Sequence, residues 1–253
     1  MNNKKVLLVG ESWETFSTHI KGFDTFYTSK YEEGAEWLIN ALEKAGYEVD
    51  FIPNHRASSE FPTSEEEINE YQVLILSDIG ANTLLLHPDT FEKSIPTTNR
   101  LKLIKKYVEN GGGFLMIGGY LSFQGVDAKA RYKDTPVEEV LPIKMRAVDD
   151  RVEVPEGMYP EVTMDHEITA GLDKTWPMFL GYNQFSADDN AVVLAKSNEN
   201  DDPFLVAGKF KKGRTAAFAS DCAPHWGSKD FIEWDQYDKL WGQLVDWLAA
   251  EID

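Results

Sequence analysis

The sequence predicts an α/β fold built on a parallel sheet with helices on both faces. Three observations carry that prediction. Short continuous apolar runs end on glycine or a small polar residue, which marks strands buried on both faces. Amphipathic segments with helical spacing stand between those runs. The two kinds of segment alternate along the first half of the chain, as they do where crossover helices join parallel strands.

The first strand is Val6-Leu7-Leu8-Val9, closing at Gly10. A helix over residues 30–45 follows, with Ala35, Leu38, Ile39 and Leu42 on one stripe and Gly46 as its C-cap. Residues 49–52 form the next strand, stopped by Pro53. Thr63 or Ser64, followed by Glu66 and Glu67, resembles a capping box opening a short acidic helix. Residues 72–76 are a third buried strand, closing on Ser77-Asp78-Ile79-Gly80. A loop with Pro88 and Pro96 leads to a helix over residues 99–109, ended by Gly111-Gly112-Gly113. Residues 114–117 are the fourth strand, closed by Gly118-Gly119.

The second half changes character. Alternation such as Val152-Glu153-Val154, punctuated by proline and glycine, predicts a β-rich insertion over residues 143–190. Residues 192–195, 204–210 and 214–219 read as strands, with Lys211-Lys212-Gly213-Arg214 as a hairpin turn. A C-terminal amphipathic helix over 234–251 carries Trp234, Trp241 and Trp247 at core spacing. No repeat or linker interrupts the pattern, so residues 1–253 are expected to form one domain.

Acidic residues outnumber basic ones 43 to 25, a net charge of −18. That balance argues against a nucleic-acid partner, which needs a basic footprint, and against a polybasic membrane anchor. Cys222 is the single cysteine, so no intrachain disulfide forms, in keeping with a reducing compartment. The N-terminal apolar run is too short for a signal peptide, and no run spans a membrane. A cytoplasmic protein is expected. None of His19, His55, His87, His166 and His225 forms a close ligand pair, so neither metal nor cofactor is expected.

Ligands of an open parallel sheet bind beyond the carboxyl ends of its strands. That rule selects segments 10–13, 77–82, 118–122 and 220–226, which together bring Glu11, Asp78, Tyr120, Asp221, Cys222 and His225 to one edge. Trp13, Phe123 and Trp226 are available there as aromatic walls. The carboxylates suit hydroxyl binding or acid/base work, and equally the capping of local turns. Gln124 and Arg131 lie on the loop over 120–135, placed to fold across the crevice. Arg131 suits an anionic ligand, a neighbouring subunit or a surface salt bridge. Cys222 reads either as a nucleophile or as a small buried hydrophobe.

Gly118-Gly119-Tyr120-Leu121-Ser122-Phe123-Gln124-Gly125, followed by Thr135-Pro136-Val137-Glu138-Glu139-Val140-Leu141-Pro142, resembles the glutamine amidotransferase-like family related to the trehalose-utilisation proteins. His166-Glu167-Ile168-Thr169-Ala170-Gly171-Leu172 is similar to a segment common in that group, and the resemblance spans residues 5–250. It implies a flavodoxin-like α/β fold of the class I glutamine amidotransferase type. It places a nucleophile elbow, a strand-to-helix turn, at Gly118–Ser122, and oxyanion-hole amides at Ile79-Gly80-Ala81-Asn82.

The elbow chemistry needs a thiolate, yet Tyr120 stands at that place. A phenol with an ordinary pKa near ~10 is a poor nucleophile at neutral pH. The departure implies a protein that is not a glutaminase and whose crevice takes a small polar molecule. The family relation and the aromatic walls point to a carbohydrate derivative. Tyr120, His225 and Asp221 are the candidate catalytic residues. Glu11, Trp13, Asp78, Gly80, Gly119, Gln124, Arg131 and Trp226 are the candidate ligand-binding residues. Two alternatives stand beside this reading: a catalytically silent homo-oligomeric or regulatory module with its crevice filled by Tyr120, and a hydrolase or amidase using Cys222. Whether the protein is an enzyme stays open, and a homo-oligomer is expected.

Overall fold

The computed structural model describes residues 4–252. Met1, Asn2 and Asn3 of the N-terminal segment, and Asp253, lie outside the described residues.

The chain opens with β1 (Lys5–Gly10), whose Val6, Leu7, Leu8 and Val9 are wholly buried. A long hairpin of β2 (Ser12–Lys21) and β3 (Asp24–Glu33) follows, then α1 (Glu36–Lys44) and β4 (Glu48–Ile52). Next come α2 (Asn54–Glu60), α3 (Glu65–Ile68), β5 (Val73–Ser77), α4 (Ala81–Leu85) and α5 (Pro88–Lys93). The capping box that opens α3 is made by Ser64 and Glu67, each bonding the other's backbone amide. α6 (Arg100–Asn110) is capped by the Asn99 side chain and stops at Gly111, before β6 (Gly113–Ile117).

The insertion carries β7 (Ile143–Met145), β8 (Arg151–Met158), β9 (Pro160–Val162), β10 (Phe179–Asn183) and β11 (Phe185–Ala187). β12 (Val192–Ser197), β13 (Pro203–Phe210), β14 (Gly213–Phe218), α7 (Lys229–Ile232) and α8 (Tyr237–Leu248) complete the fold.

The main sheet has eight strands in the order β4-β1-β5-β6-β14-β13-β12-β9. β4, β1, β5, β6 and β14 are parallel, and β13, β12 and β9 extend the sheet antiparallel. α1 packs with α8, while α2, α4 and α6 pack together, so helices cover both faces of the flavodoxin-like sheet. The β-rich insertion is present as expected. β7 pairs with β11 and β8 with β10 as two small ribbons, and β9 joins the sheet edge against β12.

Three expectations are corrected. The helix placed at residues 30–45 starts only at Glu36, because residues 12–33 form the hairpin. Thr15, Thr18, Ile20, Thr25 and Thr28 are β-branched residues that favour a strand there. The C-terminal helix starts at Tyr237, so Trp234 precedes it while Trp241 and Trp247 are buried within it. No α-helix opens directly after β6: residues 118–125 run as turns and bends, followed by a single 3-10 turn at Val126–Ala128. Among the described residues no helix is long and apolar enough to cross a membrane.

Candidate functional site

Strand register builds the site. Gly10 pairs with Ser77, Ser77 with Ile117, and Ile117 with Phe218, so four parallel strands end in line. The residues that leave those ends are Glu11, Asp78, Gly118-Gly119-Tyr120 and the segment to Asp221. Glu11 and Asp78 both hold left-handed backbone, at φ 44° and 46°. That conformation is uncommon for a side chain with a Cβ, and such strain collects at functional sites. Gly119 has φ 138°, and a Cβ there would lie 2.8 Å from Asp78 Oδ1 and 2.9 Å from Asp221 Oδ1. The chain can therefore cross the two carboxylates only as glycine.

Glu11, Asp78 and Asp221 form an acidic cluster. Glu11 is buried and accepts a hydrogen bond from the Ser77 hydroxyl. Burial first, then the Asp221 and Asp78 charges, push its pKa up to about 8. Asp78 Oδ1 accepts from the Leu121 amide at 2.6 Å. Burial and the Asp221 charge still raise Asp78 to about 6. Asp221 is buried, accepts from the Trp226 amide at 2.9 Å and pairs with His225 Nδ1 at 2.8 Å. Burial raises the Asp221 pKa against the pull of His225.

His225 is half-exposed, and its hydrogen bond to Asp221 holds its pKa above the ordinary histidine value. An ionised Asp221 only accepts, so Nδ1 carries the proton and Nε2 is left for proton exchange.

Tyr120 stands beside this dyad. Its ring meets His225 edge-on at 4.4 Å and Trp226 at 5.4 Å, and the Arg151 guanidinium lies 5.1 Å from its centre. The Tyr120 hydroxyl donates to Glu153 Oε1 at 2.9 Å, and the Trp226 indole donates to Glu153 Oε2 at 2.9 Å. Burial, then Glu153, raise the Tyr120 pKa, so the phenol stays a donor at neutral pH. From β10, Asn183 Oδ1 accepts from the Gly119 amide at 2.9 Å. Asn183 Nδ2 donates to the Gly119 carbonyl at 3.1 Å and to Asp150 Oδ1 at 2.8 Å. The insertion thus supplies Glu153, Arg151, Asn183 and Asp150, none of which the sequence reading picked out. The signal in the sequence was the polar place of Val152-Glu153-Val154, which alternation alone cannot assign to a partner.

Glu11, Asp78, Gly119, Tyr120, Asp221 and His225 come together as expected, with Cys222 behind them. Trp226 reaches the same place but is only 1% exposed, so it backs Tyr120 and Glu153 and presents no open wall. Trp13 lies on β2 opposite Glu32 and is partly exposed. Phe123 is buried against Phe185 at 5.0 Å. Gln124 is largely buried, its backbone N–H donating to Asp150 Oδ2 at 2.8 Å and its side-chain Oε1 accepting from the Lys133 backbone N–H at 3.3 Å. Arg131 is exposed at φ 64° and makes no ion pair with any described residue.

Gly80 is the N-cap of α4, at φ −78°. The Ala81 amide of the expected oxyanion segment donates to the Ala130 carbonyl at 2.8 Å, and Tyr132 donates to the Ile79 carbonyl at 2.7 Å. Cys222 is fully buried, 3.9 Å from the Ser77 hydroxyl. Burial, then Glu11 and Asp221, raise its thiol pKa well above normal, which disfavours the thiolate. Among the described residues no group of three or more His, Cys, Asp or Glu side chains is placed to hold a metal ion.

Comparison with known proteins agrees with this architecture. A cytoplasmic protein of Salmonella typhimurium is 48% identical, with TM-score 0.92 over 96% of this chain and 98% of its own. A second cytoplasmic protein, from Salmonella typhimurium LT2, is 46% identical, with TM-score 0.92 over 96% of this chain and 99% of its own. A thua-like protein from Parabacteroides merdae shares the fold at 11% identity, with TM-score 0.58 over 98% of this chain and 90% of its own. No curated protein matches the sequence. The family model described as Putative glutamine amidotransferase matches residues 5–250. With that match over nearly its whole length, and the strand-end geometry to go with it, the chain belongs to this glutamine amidotransferase-like family.

Proposed function

We propose that the protein binds a small polar molecule at the carboxyl edge of its sheet and exchanges protons with it through His225. The observation that carries this reading is the His225–Asp221 pair at 2.8 Å beside the Tyr120 phenol. His225 Nε2 takes a proton from a ligand hydroxyl, Asp221 stabilises the imidazolium that results, and the Tyr120 oxygen, whose own proton goes to Glu153, accepts from a second ligand hydroxyl. Glu11, raised to about 8, is largely protonated at neutral pH, and Asp221 and Glu153 are matched by His225 and Arg151, so the site favours neutral ligands rich in hydroxyls. A carbohydrate derivative has that chemistry, and the family relation supports it. The 48% identical relative is described as cytoplasmic, and this chain is assigned the same compartment.

Glutaminase chemistry is not part of this proposal. Tyr120 occupies the place of the elbow cysteine, no helix N-terminus stands there to activate a nucleophile, and Cys222 is buried. One observation favours a silent module instead. The Tyr120 ring is flanked by His225, Trp226 and Arg151 and its hydroxyl is taken by Glu153, so the crevice is partly filled from within.

A thermal-shift panel separates the two readings. Sugars, keto-sugars, sugar phosphates and amides are tested on wild type, Tyr120→Phe and His225→Ala. A ligand at 100 times its dissociation constant adds about 2.7 kcal/mol of stability. A sugar hit that His225→Ala loses supports the proposal. No hit from folded wild type favours the silent module. Ammonia released from glutamine in a Cys222-dependent way defeats both.

A further inference from the structure

We propose that the β2–β3 hairpin is an assembly arm whose apolar face docks on the same face of a second copy of this chain. The inference stands apart from the ligand proposal. Register sets Phe16 opposite Ser29, Thr18 opposite Tyr27, Ile20 opposite Thr25 and Glu14 opposite Tyr31. Phe16, Ile20, Tyr27 and Tyr31 therefore share one face, with threonine and serine between them. Charge on that face is confined to Glu14 and Glu33 at the root. Lys21, Asp24, Lys30 and Glu32 lie on the other face.

The arm leaves this apolar face uncovered. Phe16 is 75% exposed, Ile20 72% and Tyr27 75%, and Phe23 at the tip is fully exposed. Its main support is α2 near the root, where Tyr31 meets His55 edge-on at 5.1 Å. A two-stranded ribbon in water is marginally stable, and an exposed apolar face of this extent marks an interaction surface.

Area and charge name the occupant. Five side chains of this size offer roughly 700 Å² of apolar surface per copy. That approaches the ~800 Å² per partner of a standard stable interface. The chain carries a net charge of −18, so most approaches between two copies are repulsive. The span from Phe16 to Ser29 on this face holds no charge, so two copies meet there with no like-charge contact and the least of that repulsion. A twofold contact pairs identical patches, which this face satisfies. The same acidity opposes docking on an anionic bilayer.

The test is sedimentation velocity on the full chain, wild type against Phe16→Asp/Tyr27→Asp, with circular dichroism as the fold control. Wild type is expected to sediment as a dimer or a higher multiple, and the double variant as a folded monomer. Thr18→Cys and Ser17→Cys place a thiol on the apolar face and on the opposite face, respectively. A short bismaleimide is expected to link copies through Cys at position 18 and not through Cys at position 17. Four results overturn the proposal: wild type monomeric at every concentration, assembly that survives the double variant, equal linking from both faces, or a monomer that pellets with phosphatidylglycerol vesicles.

Discussion

Glu11 shows how burial converts a carboxylate into a pH-dependent stability element. Its folded pKa of about 8 exceeds its ordinary value of 4.5, so the folded state holds a proton that the unfolded state releases. The associated stability is complete below the unfolded value and is lost as pH rises through the folded one. Between those limits each pH unit costs up to about 1.4 kcal/mol. His225, also raised, has the same sign. Thermal midpoints are expected to fall from pH 5 to pH 8 in wild type. In Glu11→Gln they should fall less, with the variant matching or exceeding wild type at pH 8. An unchanged slope would remove Glu11 as the source. Gly119→Ala is a second residue-scale case. Its Cβ would press on Asp78 and Asp221, and its φ of 138° suits glycine. A loss of about 1–3 kcal/mol is expected in urea unfolding, as for other strained backbone positions.

Element-level consequences centre on the arm and on α6. The arm lies outside the helix layers, so trypsin is expected to cut after Lys21 or Lys30 in the monomeric double variant and leave the remaining fold intact. Assembled wild type should be protected, and mass spectrometry of the timed digest reads the difference. Arg100 ties helices together from the start of α6. Only 1% exposed, it donates to the Ser58 carbonyl at 2.8 Å and the Leu84 carbonyl at 3.5 Å, joining α2 and α4 to α6. Burial lowers its pKa. Arg100→Ala leaves a cavity and orphaned carbonyls, and a loss of about 3 kcal/mol is expected by urea titration. Arg100→Met refills the space and should recover part of that loss, while equal losses would assign the effect to the hydrogen bonds alone.

At the scale of the whole molecule, the net charge of −18 opposes every encounter between copies. Salt shortens the screening length to about 8 Å at physiological strength. Arm-mediated assembly is therefore expected to tighten as salt rises from low to physiological, read as a shift of the sedimentation distribution toward larger species. A weaker assembly at higher salt would show that ion pairs, and not the apolar face, hold the copies together.

The sheet was legible because its strands are buried on both faces. Runs such as Val6-Leu7-Leu8-Val9 are apolar without alternation, and only a covered parallel sheet demands that. The arm was not legible by the same logic. Its alternation serves a face that nothing within the chain covers, so it competed poorly with the helical stripe at Ala35, Leu38, Ile39 and Leu42. Trp226 and Phe123 read as walls, yet both are buried, since an aromatic beside a strand end is equally suited to either side of a loop. Glu153 and Asn183 came from alternating segments whose polar positions carry no mark of their partners.

By itself the sequence determined the α/β class, the strand ends that make the candidate edge, and the acidity of the chain. These follow from local pattern and composition. Tertiary structure alone decided that Glu11, Asp78 and Asp221 gather at one edge with Gly119 crossing the latter two, that Asp221 orients His225, and that Tyr120 leans on an insertion strand. Those facts depend on register between strands far apart in the chain and on burial, which sets the charge of each group only once the fold has closed around it.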